Sequence, residues 1–354
     1  MKFIDVSGLG HSGKTAVTDL FREVEGVHAH HNSFEFDLLR LPDGIIDLHQ
    51  ALVEKWSPVR SDMAIKRFKK LCESLNDYYS KLLTDRFMEF TNQYLKSLVI
   101  DHLYIDGWYD SLYNKDGYRE ELKNTLKRIG LFNLVKNGYG LVKSSKNKPS
   151  SKTEVFLGDG SGFLEKTIDY LENVIFSGMA ENKNTVISNN VFEPFNPSMS
   201  LEYFNKAFCV IVDRDPRDIY ASVMDIGLQF VPEFEAGEGL FTADYLQQLK
   251  EDMLGAGNIH SFINRQIVYR QKMEFNRSDR SIVYIHYEDL VLNYDKTAQL
   301  IFDAVGIDSR RHVNKRKHFD PDKSVKNVGV WKAIKDKEEI KLIEKELKEY
   351  LYTS

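Results

Sequence analysis

Gly8-Leu9-Gly10-His11-Ser12-Gly13-Lys14-Thr15 has the spacing G-x-x-x-x-G-K-[ST]. Chemically this is an anion trap. Glycines let successive backbone N–H groups turn toward one oxygen-rich ligand. The lysine adds a positive charge and the hydroxyl a donor. An apolar run, Phe3-Ile4-Asp5-Val6, precedes the loop, and Ala16-Val17-Thr18-Asp19-Leu20-Phe21 follows with helical character. The spacing is informative in that strand–loop–helix setting, where the positive end of the helix dipole faces the same anion. Gly10, His11, Ser12, Gly13, Lys14, Thr15 and Ala16 are the expected phosphate-binding residues.

A second constellation lies two hundred residues later, in Asp213-Arg214-Asp215-Pro216-Arg217-Asp218-Ile219-Tyr220-Ala221-Ser222. It follows the apolar run Phe208-Cys209-Val210-Ile211-Val212, which reads as a strand buried on both faces. Pro216 suits the first turn of a helix, where a missing N–H costs nothing, and Asp215 suits the cap before it. Arg214 then stands at a strand exit, where open α/β sheets place ligands. Ser222 falls about two turns into the helix, on a face that can turn back to the strand end. An arginine and a hydroxyl there would grip a second anion; a surface salt bridge is the plainer reading of Arg214.

This segment resembles the sulfotransferase superfamily, whose members use 3′-phosphoadenosine 5′-phosphosulfate (PAPS) as donor. The pattern R-[DN]-P-R-D-x-x-x-S is matched by Arg214-Asp215-Pro216-Arg217-Asp218 and Ser222. Two later stretches are similar to further family segments. One is His286-Tyr287-Glu288-Asp289-Leu290 with Leu300-Ile301-Phe302 and Val305-Gly306-Ile307; the other is the basic loop Ser324-Val325-Lys326-Asn327-Val328-Gly329-Val330-Trp331-Lys332. The resemblance implies a P-loop-like fold, with Ser12 to Thr15 on the donor's 5′-phosphosulfate and Arg214 and Ser222 on its 3′-phosphate. It places Ser324, Lys326 and Asn327 beside that 3′-phosphate. The chain departs from many relatives in carrying His11 where they have a lysine or arginine, and Lys14 where they have threonine. The cation is thus displaced by three residues, and Lys14 is expected to stabilise charge on the leaving phosphate. The basic loop also lacks the family's consecutive Arg-Lys-Gly.

Sulfuryl transfer asks mainly for positioning and charge stabilisation, as phosphoryl transfer does, and needs no metal if lysine, hydroxyl and amide donors serve. A general base near the acceptor hydroxyl helps. Candidates follow the first helix: His28, His30, His31 and Glu35. Related glycan sulfotransferases place a carboxylate near this point, so Glu35 is the first choice, with His31 and His11 as alternatives; a solvated carboxylate is the plain reading of Glu35. The three histidines could instead suggest a metal, but on a strand His28 and His30 share a face that His31 does not. Asn189 and Asn190, ending the short strand Thr185-Val186-Ile187-Ser188, are expected in the same cleft. The acceptor is a small molecule or glycan, with a carbohydrate or glycolipid favoured by fold analogy. The competing function is an ATP-dependent kinase or NTPase with Lys14 and Asp213 as its Walker A and B residues; it leaves Arg214 and Ser222 unexplained.

The elements that must position these groups read as strands separated by helices: strands near 3–6, 27–36, 185–188, 208–212 and 281–285, and helices near 217–226, 242–254, 258–275, 292–304 and 335–351. That order predicts a three-layer α/β/α fold with a central parallel sheet. Residues 45–182 read as a predominantly helical insert within one domain spanning 1–354. In it, Tyr118 to Val135 and Leu164 to Met179 read as helices and the basic, Ser-rich stretch Lys143 to Lys152 as a loop.

Bulk properties agree. The 354 residues, 42% hydrophobic and 29% charged, suit a large soluble domain. A net charge of −5 argues against a broad grip on nucleic acid, so basic sites must be local. Two cysteines, Cys72 and Cys209, form no disulfide framework. No apolar run approaches the roughly 18 residues of a membrane span. No secretory signal is visible, and a cytoplasmic setting is the expectation.

Overall fold

Phe3, Ile4 and Val6 are buried on alternating faces of the first strand, which explains why so short an apolar run can sit at the centre of a sheet. In the computed structural model, residues 1–30, 34–105, 109, 153–179, 182–226, 259–274, 279–335 and 337–353 are described. Among them run the strands β1 (Lys2–Gly8), β2 (Val27–Ala29), β3 (Asp101–Ile105), β4 (Thr153–Leu157), β5 (Thr185–Asn189), β6 (Ala207–Asp213) and β7 (Ile282–His286). The longer helices are α1 (Lys14–Arg22), α2 (Pro58–Leu82), α3 (Phe87–Leu98), α4 (Phe163–Phe176), α5 (Pro216–Ile226), α6 (Ile259–Glu274), α7 (Tyr287–Leu292), α8 (Tyr294–Ala304) and α9 (Lys337–Glu346).

Five strands form one parallel sheet in the order β2-β5-β1-β6-β7. Side chains alternate between two cores. Phe3, Cys209, Ile211 and Ile282 face one layer, together with Phe68, Tyr79 and Tyr170 of the insert. Ile4, Val6, Val210, Val212 and Ile285 face the other, against Val17, Leu20, Leu290 and Ile301. The result is the three-layer α/β/α arrangement the strand–helix order predicts. Register matters for function: Val6 pairs with Asn189 and Gly8 with Val212, so β1, β5 and β6 end side by side. Three loops therefore meet at one sheet edge.

Some expectations change. The strand expected over 27–36 stops at Ala29; Glu35 rejoins the sheet only through a parallel bridge to Asn189. The insert holds helices but also an antiparallel pair, β3 with β4, which the helical reading missed. β3 is mostly exposed and β4 half-buried with only Val155 fully buried, and in both the apolar residues run consecutively (Leu103 to Ile105, Val155 to Leu157), so they carry no clear two-residue hydrophobic period. The helix expected over 292–304 begins at Tyr294, and α7 is separate from it. The expected helices over 118–135 and 242–254, and the Ser-rich loop at 143–152, lie outside the described residues. Cys72 and Cys209 are buried free thiols. No helix among the described residues is long and apolar enough to cross a membrane.

Candidate active site

The loop between β1 and α1 is built as its spacing suggests. Gly13 adopts φ 93°, the left-handed region, and caps α1. His11 is also left-handed, at φ 64°. Lys14 opens the helix, folds back, and donates from Nζ to the Gly8 carbonyl at 3.2 Å. Burial lowers its pKa, opposed by the nearby Glu35 carboxylate. Ser12 is fully buried and its Oγ has no hydrogen-bond partner. A buried hydroxyl without a partner is costly, and a bound anion would satisfy it. Gly10, His11, Ser12, Gly13, Lys14, Thr15 and Ala16 all line one cleft.

Arg214 follows β6 and is 7% exposed. Its Nη1 donates to the His11 carbonyl at 3.0 Å and to Ser222 Oγ at 3.1 Å, and its Nη2 donates to the Asn327 carbonyl at 2.6 Å. The guanidinium lies 5.1 Å from the centre of the Tyr287 ring, and its Nε is buried without a partner. Ser222, Ser324, Lys326 and Asn327 border the same cleft. The other residues of the motif have structural tasks. Asp215 caps α5 by accepting the Arg217 N–H at 2.8 Å, as its position before Pro216 predicts. Arg217 clasps the Asp215 carboxylate and lies 4.3 Å over Trp331. Asp218 accepts the N–H groups of Gly329 at 2.7 Å and Trp331 at 3.1 Å, so it fixes the basic loop against α5. Burial raises the Asp218 pKa, against the pull of those two amides.

On the opposite flank stands a carboxylate cluster. Asn190, at φ 48°, donates from Nδ2 to Glu35 Oε1 at 2.5 Å, while its own buried Oδ1 has no partner. Arg40 reaches Glu35 Oε2 at 3.1 Å, Asp37 Oδ1 at 2.5 Å and Glu193 Oε2 at 3.7 Å. Burial raises the Glu193 pKa, and Arg40 opposes the rise. Beneath the cluster, Asp5 accepts the N–H groups of Val191 at 2.8 Å and Phe192 at 3.2 Å. It is fully buried, and burial pushes its pKa up to about 6. Thr18 ties α1 to Asn189 at 2.7 Å.

Glu35, Lys14 and His11, the three catalytic candidates, border one cleft; Asn189 and Asn190 do so too. His28 and His30 are not among its lining residues. They stack edge to face at 5.3 Å, and burial drives the His30 pKa down to about 3, so His30 is a neutral core side chain. His31 lies outside the described residues. Among the described residues, no group of three His, Cys, Asp or Glu side chains could hold a metal. The Walker B assignment of Asp213 is corrected. Arg270 takes both its oxygens, at 2.8 and 3.1 Å, and Asp213 does not line the cleft. Arg40, Glu193 and the buried role of Asp5 were not singled out from the sequence, whereas Tyr287 falls in the segment His286 to Leu290 noted there. The first three come from separate segments and carry no motif; only tertiary proximity marks them.

The cleft has a volume of about 1940 Å³. A single drug-sized ligand needs roughly 300–1,000 Å³, so two reactants fit. Among its described lining residues, nine are Lys or Arg and four are Asp or Glu, on a chain whose net charge is −5. The basic groups cluster at the loop and around residues 316–335. The cleft thus pairs a basic side with a carboxylate-bearing side.

No family model matches the chain, and no curated protein matches it. Solved structures do resemble it over most of its length. The sulfotransferase domain of the Synechococcus PCC 7002 olefin synthase aligns at TM-score 0.41 and 13% identity, covering 98% of this chain and 94% of that one. A retinol dehydratase in complex with androsterone and the inactive cofactor PAP aligns at TM-score 0.37 and 13% identity, covering 100% and 82%. A Mycobacterium tuberculosis sulfotransferase aligns at TM-score 0.36 and 12% identity, covering 93% and 76%.

Proposed function

We propose that this chain is a sulfotransferase that moves a sulfuryl group from PAPS to an acceptor hydroxyl, the helical insert being part of the same unit as the sheet. The observation that carries the reading is the pair of anion corners joined by Arg214: the loop with the unpartnered Ser12 Oγ, and the Arg214–Ser222 corner with the unpartnered Arg214 Nε. Two anion corners suit a donor bearing phosphates at two separate positions. An ATP enzyme would leave the second corner without a purpose and would need a metal-holding carboxylate that Asp213, engaged by Arg270, does not offer.

In this reading Gly10 to Ala16 hold the 5′-phosphosulfate through backbone amides and the α1 dipole. Arg214, Ser222, Ser324, Lys326 and Asn327 hold the 3′-phosphate. PAPS supplies the sulfuryl group. The acceptor oxygen bonds to sulfur as the sulfur–bridging oxygen bond breaks, and Lys14 neutralises charge on the departing phosphate. Glu35 takes the acceptor's proton, with Asn190 and Arg40 holding its carboxylate in place; His11, lining the same cleft, is the alternative base. Glu35 and Glu193, each about one-third exposed, offer hydrogen-bond acceptors to the cleft. Phe195 and Tyr269, ring centres 4.9 Å apart, line the same cleft. Carboxylates beside paired rings suit a hydroxyl-rich acceptor, such as a sugar, better than an apolar phenol or sterol.

Ligand-induced thermal stabilisation tests the donor. Adenosine 3′,5′-bisphosphate at 100-fold excess over Kd should add about 2.7 kcal/mol without magnesium. Stabilisation by magnesium-ATP alone would overturn the reading. A labelled-donor screen of glycans against phenols and sterols tests the acceptor.

A further inference from the structure

Glu23 ends α1, at the opposite end of that helix from the phosphate-binding loop. Its side chain is fully buried and is surrounded by donors. Oε2 receives the Tyr294 hydroxyl at 2.9 Å, His312 Nε2 at 2.7 Å and the Arg316 N–H at 3.0 Å. Oε1 receives the His318 and Phe319 N–H groups at 2.8 and 2.9 Å. The Glu23 carbonyl also accepts the Asn314 N–H at 3.2 Å. A buried carboxylate is tolerated only when its lone pairs are used, and here the users are mainly the backbone of one loop. Burial alone would raise its pKa; His312, the amides and Tyr294 outweigh that and lower it.

The loop so gripped bears basic side chains. Arg316 takes a left-handed φ of 63°, and Arg316, Lys317 and His318 are exposed and line the cleft. Three adjacent basic residues around a left-handed turn would not hold one conformation unaided. Arg316 also pairs with Asp322 at 2.8 Å. The backbone is locked, Arg316 is held by Asp322 and lies over the Tyr294 ring, and Lys317 and His318 stay exposed.

We propose that Glu23 is a positioning residue for the donor: its carboxylate presets the loop 314–319, so that Arg316, Lys317 and His318 form a fixed basic rim on the donor side of the cleft. The assignment rests on the sulfotransferase reading for the donor's identity, but the mechanical link does not. Helix α1 becomes a strut with the anion loop at one end and the rim's anchor at the other. Preset charges bind without an ordering cost at the moment of association.

A double-mutant cycle on the full chain tests this, with calorimetric titration of adenosine 3′,5′-bisphosphate and steady-state donor kinetics. Glu23→Gln should raise the bisphosphate Kd and donor KM about tenfold, with kcat at saturating donor within about twofold. Lys317→Ala should raise Kd by about threefold alone and by nothing further in the Glu23→Gln background, because the rim is already displaced. Tyr294→Phe removes one donor at little change of volume and should give a smaller step in the same direction; it carries the cycle if Glu23→Gln does not fold. Unchanged bisphosphate affinity in these variants, or full additivity with Lys317→Ala, overturns the proposal. Failure of the donor reading looks different: the unmodified protein would ignore the bisphosphate and bind magnesium-ATP, and the same cycle run on magnesium-ATP would then decide the role of Glu23.

Discussion

Arg214 donates from its guanidinium to the main-chain carbonyl of His11 at 3.0 Å, across 203 residues of sequence. The same Nη1 reaches Ser222, and Nη2 reaches the Asn327 carbonyl. One side chain therefore ties the glycine-rich loop to the helix after β6 and to the basic loop. The glycine-rich loop and the Ser222 corner share this cation, so a change at Arg214 perturbs both.

Replacing Arg214 by lysine keeps the charge but removes the planar fork that serves three acceptors at once. Arg214→Lys should weaken adenosine 3′,5′-bisphosphate by about 1.5–3 kcal/mol, the scale of a hydrogen bond to a charged group. Isothermal titration reads this directly. Wild-type affinity in the variant would place the anion elsewhere.

Glu35→Gln retains size and the contact with Asn190 but cannot accept a proton. Turnover should fall by roughly 10²–10⁴-fold. Bisphosphate affinity should stay within about twofold, since the anion corners are built from other residues. Single-turnover transfer to a responsive acceptor measures the first, titration the second. Equal turnover would hand the base role to another group.

His11 links acidity to stability. Burial, then Arg214 and Lys14, push its pKa from 6.5 down to about 4. Between those values the unfolded chain binds a proton that the folded loop excludes. The contribution of His11 is therefore fully present above pH 6.5 and is lost as pH falls toward 4. His11→Asn removes the titration, and asparagine tolerates the left-handed φ. Urea unfolding at pH 7 and pH 5 should show a smaller acid loss in the variant, by about 1–2 kcal/mol after allowing for solvent screening. Identical losses would mean the imidazole is not desolvated.

Gly13 tolerates no side chain. An added Cβ at its φ of 93° would run into the Tyr287 ring. Gly13→Ala should cost about 1–3 kcal/mol of stability and abolish bisphosphate binding, because ring and loop cannot both keep their places. Denaturant titration together with calorimetry checks both effects. A variant as stable as the parent, with intact binding, would show that the loop has another conformation available.

The parallel sheet was legible mainly through β6 and β7, apolar runs bounded by turn residues, a pattern that depends only on neighbours in sequence; the edge strand β2, Val27-His28-Ala29, gave a weaker signal and its end was misplaced. The turn at Gly13 and the cap at Asp215 were legible for the same reason. The β3–β4 pair was not, since its apolar residues run consecutively and leave no alternating hydrophobic period. Nor did residue type alone separate His30, a buried neutral ring beside Ser188, from a cleft histidine.

By itself, then, the sequence determined the alternation of strands and helices that makes the parallel sheet, the glycine loop and the Arg214-to-Ser222 spacing, all of which are local backbone properties. Tertiary structure alone decided that Arg214 closes on His11, that Arg40 and Asn190 converge on Glu35, and that Glu23 anchors the loop at 314–319. The reason is physical. Those contacts join segments whose proximity comes from strand register and core packing, and a carboxylate's or guanidinium's task depends on which partners the folded chain brings within hydrogen-bond reach.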